Sequence, residues 1–169
     1  MHPGFFEQDF IRSMPEDMVC SEMMIDLRTA PPLPSCGCPD GITFGEYRGE
    51  IGAMHDAVNS VVPGWVQYYP EGGRFFCAFD GEKIASFCVL EDIGVIDGVR
   101  IGAPGCVGTV PEYRRRGIGL EMVRRATETL RREGYDISWI HFTHLAGWYS
   151  KLGYSTVLRL NRGGFLPEE

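Results

Sequence analysis

Lysine is nearly missing from this sequence: of its 16 basic residues only Lys83 and Lys151 are lysines. That excludes a P-loop, whose first glycine must be followed by Gly-Lys-Ser/Thr so that an ammonium reaches the phosphates. No apolar run approaches the roughly 20 residues that a membrane-spanning helix needs. The N-terminal stretch M-H-P-G-F-F-E-Q-D-F carries acids and no long apolar segment, so it does not read as a secretion signal. The expected compartment is the cytosol, with no membrane partner. Positive charge is short too. A formal net charge of −7 argues against nucleic acid as a partner, because neutralising phosphates takes a basic face; it agrees better with a cationic small molecule or peptide. No C-x-x-C pair occurs among Cys20, Cys36, Cys38, Cys77, Cys88 and Cys106. Cys77, Cys88 and Cys106 lie in apolar strand-like runs and read as small buried hydrophobes. Cys36 and Cys38, even with His2 or His55, fall short of a four-ligand zinc site with paired ligands, so no metal is expected.

What is present suits one domain spanning residues 1–169, long enough to bury about two-thirds of the unfolded surface. Residues 1–16 mix aromatics with acids and read either as a short helix on the body or as a frayed end. Val19 to Thr29 alternates as a first strand, and the prolines 31, 32 and 34 end it. Thr43 with Glu46 three residues on has the form of a capping box, which predicts a helix carrying Phe44, Tyr47, Ile51, Met54, Val58 and Val61 on its buried face. The segment 61–73 holds Pro63, Trp65, Tyr68, Tyr69 and Pro70, a loop suited either to shaping an acceptor pocket or to covering a sheet edge. Asp80-Gly81 between β-rich runs predicts a hairpin of Arg74 to Phe79 with Glu82 to Leu90. A further strand, from about Val99 to Val110, is expected to bulge or break at Gly102-Ala103-Pro104-Gly105.

The informative stretch is C-V-G-T-V-P-E-Y-R-R-R-G-I-G-L, Cys106 to Leu120. A β-branched run stopped by Pro111 leads through three arginines and two glycines into a helical pattern. Ile118, Met122, Val123, Ala126 and Leu130 form its apolar stripe, with Glu121–Arg125 and Glu128–Arg132 as pairs on the wet face. Arg124, Arg125, Arg131 and Arg132 then read as a solvated face. A helix N-terminus leaves its first amides without intrahelical partners, and a glycine-lined turn there is a site for phosphate oxygens. A dinucleotide fingerprint does not fit, since Met122 stands at the third glycine. After Gly134 come a strand from Asp136 to Thr143, a short helix from Leu145 to Leu152 ended by Gly153, and a last strand from Tyr154 to Leu160. The pattern by itself gives an α/β or α+β class.

R-x-x-G-x-G at Arg114 to Gly119 resembles the acyl-CoA pyrophosphate loop of the GNAT N-acetyltransferase superfamily. Trp148-Tyr149-Ser150-Lys151-Leu152-Gly153-Tyr154 resembles that family's later F-Y-x-x-x-G-F segment. The resemblance implies a mixed, mostly antiparallel central sheet with helices on both faces and a splay between two central parallel strands. It implies acetyl-CoA as co-substrate, its pantetheine along Val107, Gly108, Thr109 and Val110, and its pyrophosphate on the amides of Arg115, Arg116, Gly117, Ile118 and Gly119, with Arg114 to Arg116 adding charge. Tyr149 matches the tyrosine that protonates the leaving thiolate. For the base, His141, His144, Glu91 and Glu112 are candidates, with His144 and Glu112 taken first. Where many relatives carry an asparagine seven residues before the tyrosine, this chain has Phe142, and Thr143 or His144 is the expected substitute. The implied activity is transfer of an acetyl group to a primary amine by direct attack in a ternary complex. A non-catalytic acyl-CoA sensor, or an O-acyl or longer-acyl transferase, is the alternative. Such enzymes often form homodimers through their last strands.

Overall fold

The run Phe75–Asp80 places large apolar side chains on alternate sides, and only a sheet covered on both faces can accept that. The computed structural model, which describes residues 4–167, has such a sheet. After a 3-10 turn at Phe5–Glu7 and a one-turn helix α1 (Asp9–Arg12) come β1 (Cys20–Asp26), β2 (Ile42–Glu46) and α2 (Ile51–Asn59). Then follow β3 (Phe75–Asp80), β4 (Lys83–Ile96), β5 (Val99–Thr109), α3 (Ile118–Arg132), β6 (Ile137–Thr143), α4 (Ala146–Tyr149), β7 (Ser155–Asn161) and β8 (Gly164–Phe165). The sheet order is β2-β3-β4-β5-β6-β1-β7-β8.

Every neighbouring pair is antiparallel except β5 with β6. That parallel ladder joins only Ile101 to Ile137 and Gly102 to Ser138. Beyond it β5 runs on to Thr109 and β6 to Thr143 unpaired with each other, so the sheet opens into a wedge. The expected mixed sheet with splayed central strands is thus present.

One face of the sheet carries α3. Its stripe of Ile118, Met122, Val123, Ala126 and Leu130 is essentially sealed from solvent and packs with Met23, Ile25, Phe76, Ala78, Cys88 and Leu90. Burying a side chain such as Leu130 contributes about 1.5–3 kcal/mol. On the other face Met54 and Val58 of α2 meet Tyr69, Phe75, Cys77, Phe87 and Val89. A third cluster of Phe5, Ile11, Met14, Cys20 and Leu160 docks the N-terminal segment on the sheet, so that segment is the packed form of the two expected.

Several expectations are corrected. Thr43 and Glu46 do not cap a helix: residues 42–46 are an edge strand laddered to β3 from Ile42–Asp80 to Glu46–Phe76, and Glu46 binds the Arg74 guanidinium, Nε to Oε1 at 2.9 Å. Pairing with β3 satisfies this backbone, and the helix begins only at Ile51, so Phe44 and Tyr47 lie outside it. Residues 102–105 do not break β5. They sit in an unbroken ladder with β4, and the irregularities flank them, at Cys106 on β5 and at Ile93 on β4. Strand β4 extends to Ile96, turning at Asp97 and Gly98, both with positive φ, as a two-residue hairpin loop requires. Glu121 is buried rather than on a wet face, and Glu128 pairs with Arg131 rather than Arg132. Arg132 instead donates to the Thr129 hydroxyl.

Candidate active site

The wall of the wedge on the β5 side is shaped by a bulge. Val89 pairs with Gly105 and Phe87 with Gly108, so Cys106 and Val107 together face the single residue Cys88. Cys106 adopts φ +46, and its carbonyl accepts the Tyr69 hydroxyl at 2.7 Å. Tyr69, from the 61–73 segment, is completely buried. Burial pushes its phenol well above the usual range, which keeps it a donor. At Gly108 any Cβ would overlap the Phe87 ring, so that glycine accommodates an aromatic of the strand it pairs with. Ser86 ties the strand end, donating to the Gly108 carbonyl at 2.7 Å and lying 3.1 Å from the Thr109 hydroxyl. The amide of Val110 is taken up by the Ala85 carbonyl at 3.0 Å.

From there the chain turns into α3. Pro111–Tyr113 is a 3-10 turn, Arg114 donates from Nε to the Thr109 carbonyl at 3.0 Å, and Arg115 and Gly117 both take positive φ. Among the described residues no protein group accepts from the amides of Arg115, Arg116, Gly117, Ile118, Gly119 or Leu120, and intrahelical bonding resumes with Glu121 to the Gly117 carbonyl at 3.1 Å. Consecutive unpaired amides around left-handed residues at a helix N-terminus make a concave anion site. The fit to a diphosphate is therefore physical: six donors await acceptors, with three guanidinium groups beside them.

Both glycines of this turn also serve packing. A Cβ on Gly117 would overlap the Gly37 carbonyl oxygen, and one on Gly119 would press on the Thr109 hydroxyl. Gly37 belongs to the proline-rich segment 31–38, which lies along α3. The Leu33 amide donates to Glu128, the Cys36 amide to Glu121 at 3.1 Å, and Arg131 to the Pro31 carbonyl. Burial of Glu121 opposes its ionisation, but hydrogen bonds from Arg124, Arg125 and the Cys36 amide outweigh it and hold the carboxyl down to about 2.

On the β6 side Phe142 has φ +49, and the register with β1 slips so that His141 and Phe142 together stand opposite Glu22. Tyr149, at the end of α4, is buried. Its ring meets Trp148 edge-on at 4.8 Å, burial raises its phenol above the ordinary value, and it lies within electrostatic reach of Cys106. Its hydroxyl has no hydrogen-bond partner among the described residues. Thr143 is buried, and its hydroxyl accepts the Leu145 amide at 3.0 Å. Glu112 and His144 are exposed, and among the described residues neither is hydrogen-bonded to Tyr149, while Glu112 shares a side-chain hydrogen bond with its neighbour Tyr113.

The fold thus brings the 107–119 set together as strand, turn and helix start, with Tyr149 beneath, and leaves Glu112 and His144 at the surface. Sequence reasoning missed Glu22, whose signal was a lone carboxylate inside the apolar run Cys20–Ile25, and the bulge at Cys106, which has none. A concavity of about 590 Å³ lies elsewhere, between β2 and α3, lined by Phe44, Arg48, Arg124 and Arg125. Among the described residues no three His, Cys, Asp or Glu side chains group as metal ligands, and no helix is long and apolar enough to cross a membrane. His2 lies outside the described residues.

The architecture can be set beside solved structures. A GCN5-related glucosamine N-acetyltransferase region of a fungal multi-domain GH3 β-N-acetylglucosaminidase aligns with a TM-score of 0.68 at 22% identity, over 85% of this chain and 20% of that one. A GCN5-related N-acetyltransferase from Sphaerobacter thermophilus gives 0.63 at 17%, over 86% and 50%. One from Kribbella flavida gives 0.58 at 21%, over 91% and 60%. At these identities the likeness is one of fold, and the chain spans between a fifth and three-fifths of those proteins. No curated protein matches the sequence. Residues 71–156, which run from the lead into β3 through the wedge, the anion turn and α4, match the family model of an acetyltransferase (GNAT) domain. With the splayed strands, the open amide turn and that match all falling on one stretch of chain, this protein belongs to the GNAT acetyltransferase family.

Proposed function

We propose that the protein is an N-acyltransferase that moves an acetyl group from acetyl-CoA to the primary amine of a small molecule or peptide. The observation that carries the reading is the run of unpaired amides from Arg115 to Leu120 at the mouth of the wedge. They would hold the diphosphate of coenzyme A, with Arg114, Arg115 and Arg116 supplying charge. The residues Val107, Gly108 and Thr109 would line the arm, while the Val110 amide is already engaged within the sheet. Thr143, with its hydroxyl turned to the Leu145 amide, would contribute mainly through its methyl group. Bound acetyl-CoA supplies the activated acyl carbon.

The chain's own residues would do the rest. The bulge at Cys106 and Val107 leaves these residues outside the regular ladder, and an amide there would serve as donor to the carbonyl oxygen where charge develops. The Tyr149 phenol, kept protonated by burial, would give its proton to the departing sulfur. Of the base candidates, Glu112 and His144 stand exposed, and neither is hydrogen-bonded to Tyr149 among the described residues.

Calorimetry with acetyl-CoA, and thiol release in the presence of D-glucosamine, tyramine, spermidine and a peptide with a free N-terminus, test the proposal. Glucosamine is included because the fungal neighbour is described as acting on it. Binding with thiol release in at least one mixture is expected. Absence of binding at millimolar acetyl-CoA overturns the reading, and binding without any release favours a sensor.

A further inference from the structure

Glu22 is a buried carboxylate in β1 whose hydrogen bonds, among the described residues, come from no arginine or lysine. It is 3% exposed, in the middle of β1, between β6 and β7. Such a group is costly unless its lone pairs are filled. Three donors fill them, all from β6: the Trp139 indole Nε1 at 2.8 Å, His141 Nδ1 at 2.8 Å and the Phe142 amide at 3.2 Å. The arrangement is built at some expense. Phe142 must take φ +49 and β6 must slip in register for two consecutive residues to address one carboxylate.

The consequence lies in the histidine. A carboxylate only accepts, so the proton of a neutral His141 sits on Nδ1, and the lone pair is left on Nε2. The ring remains half exposed, with Phe5 at 6.3 Å and Trp139 at 5.2 Å between centroids. Glu91 is on β4, beyond β5, paired with Ala103 and with its carboxylate close to Gly105. Burial raises its carboxyl while the charge of His141 opposes that shift, so the two groups feel each other. His141 therefore lies on the β6 bank of the wedge, hydrogen-bonded to a carboxylate of β1 and within electrostatic reach of one on β4, with an oriented lone pair.

We propose that His141 is the base that takes the acceptor's proton, and that Glu22 is the residue that positions it. This rests on the acyltransfer reading above. The acceptor ammonium loses a proton to His141 Nε2, and the freed amine lone pair forms the C–N bond. The C–S bond breaks with its electron pair going to sulfur, which takes a proton from Tyr149, and the second proton that the nitrogen sheds as the amide forms restores the Tyr149 phenol. The proton on His141 then passes to solvent. Glu22 holds the ring in the correct tautomer and stabilises the imidazolium.

The test uses the whole chain. In long-range 1H–15N spectra His141 is expected in the Nδ1–H form, and the Nε2–H form overturns the proposal. With whichever amine of the panel above supports thiol release, His141→Ala is expected to lower kcat by roughly 100-fold or more, to leave acetyl-CoA affinity unchanged and to regain turnover with added imidazole. Glu22→Gln removes the anion that favours imidazolium, so the acidic limb of the kcat/KM profile should move to lower pH. A purely structural Glu22 would not move it. His141→Gln serves as a second variant if the alanine form melts early. Wild-type kcat in a folded His141 variant that still binds acetyl-CoA sinks the base alone, whereas failure of the wild type to bind acetyl-CoA sinks the underlying reading.

Discussion

The hydroxyl of Tyr69 donates to the carbonyl of Cys106 across 2.7 Å, fastening the segment after α2 to the point where β5 leaves regular geometry. The Tyr69 hydroxyl has no other hydrogen-bond partner among the described residues, and its ring sits in an apolar cluster, so the hydroxyl serves the bulge. Tyr69→Phe should cost about 1–3 kcal/mol, since the part-buried Cys106 carbonyl loses this partner, which lowers the melting temperature by several degrees in a chain of this size. If the bulge aims backbone at the reacting carbonyl, kcat falls further than acetyl-CoA affinity. Melting curves, calorimetry and turnover on the same sample check this, and an equal loss in all three would make Tyr69 a packing residue only.

The segment 31–38 is tied to α3 in part through Glu121, which accepts the Cys36 amide, so its docking should respond to acid. The carboxyl is held down to about 2 in the fold against an ordinary value of 4.5. A depressed acid contributes stability that is complete above the unfolded value and is lost as pH falls through the folded one. Stability from this group therefore declines between about pH 5 and pH 2. Urea unfolding at steps of pH should show wild type and Glu121→Gln converging at the acid end of that window and separating above it.

Tyr149→Phe keeps the ring contacts with Trp148 and Tyr154 and removes only an oxygen that has no hydrogen-bond partner among the described residues. Fold and acetyl-CoA affinity should therefore survive. Turnover should drop by roughly 100-fold if the phenol protonates the leaving sulfur. Turnover at the wild-type rate assigns Tyr149 to the core.

The turn and α3 were legible because their determinants are local. A proline, two glycines and a period of apolar residues lie within one stretch, and each acts on the backbone beside it. The edge strand β2 was not, since a capping-box spelling at Thr43 and Glu46 is a local preference, and the ladder to β3 overrides it from 30 residues and more along the chain. Asp97-Gly98 was a readable hairpin signal of the same kind as Asp80-Gly81. The splay came with the family resemblance and not from periodicity, because nothing in the alternation of Asp136 to Thr143 says where β6 parts from β5. His141 was readable as a titratable group near the wedge. Its partner was not: Glu22 is 119 residues away in sequence, and one chain read alone carries no record of that contact.

Gly108 offers a test in which two changes should cancel. Its missing Cβ makes room for the Phe87 ring, which is fully buried opposite it in the β4–β5 ladder. Gly108→Ala forces that ring or the strand to shift and should destabilise by about 1–3 kcal/mol. Phe87→Leu alone leaves a cavity and costs a similar amount or more. In the double variant the new methyl enters space that the ring has vacated, so the total should fall short of the sum by 0.5 kcal/mol or more, the size of coupling expected for residues in contact. Acetyl-CoA affinity separates the two roles of this glycine. If Gly108 serves only the ring, the double variant regains binding along with stability. If the pantetheine arm also lies against it, stability returns and binding does not, because the methyl still stands on the wall of the wedge.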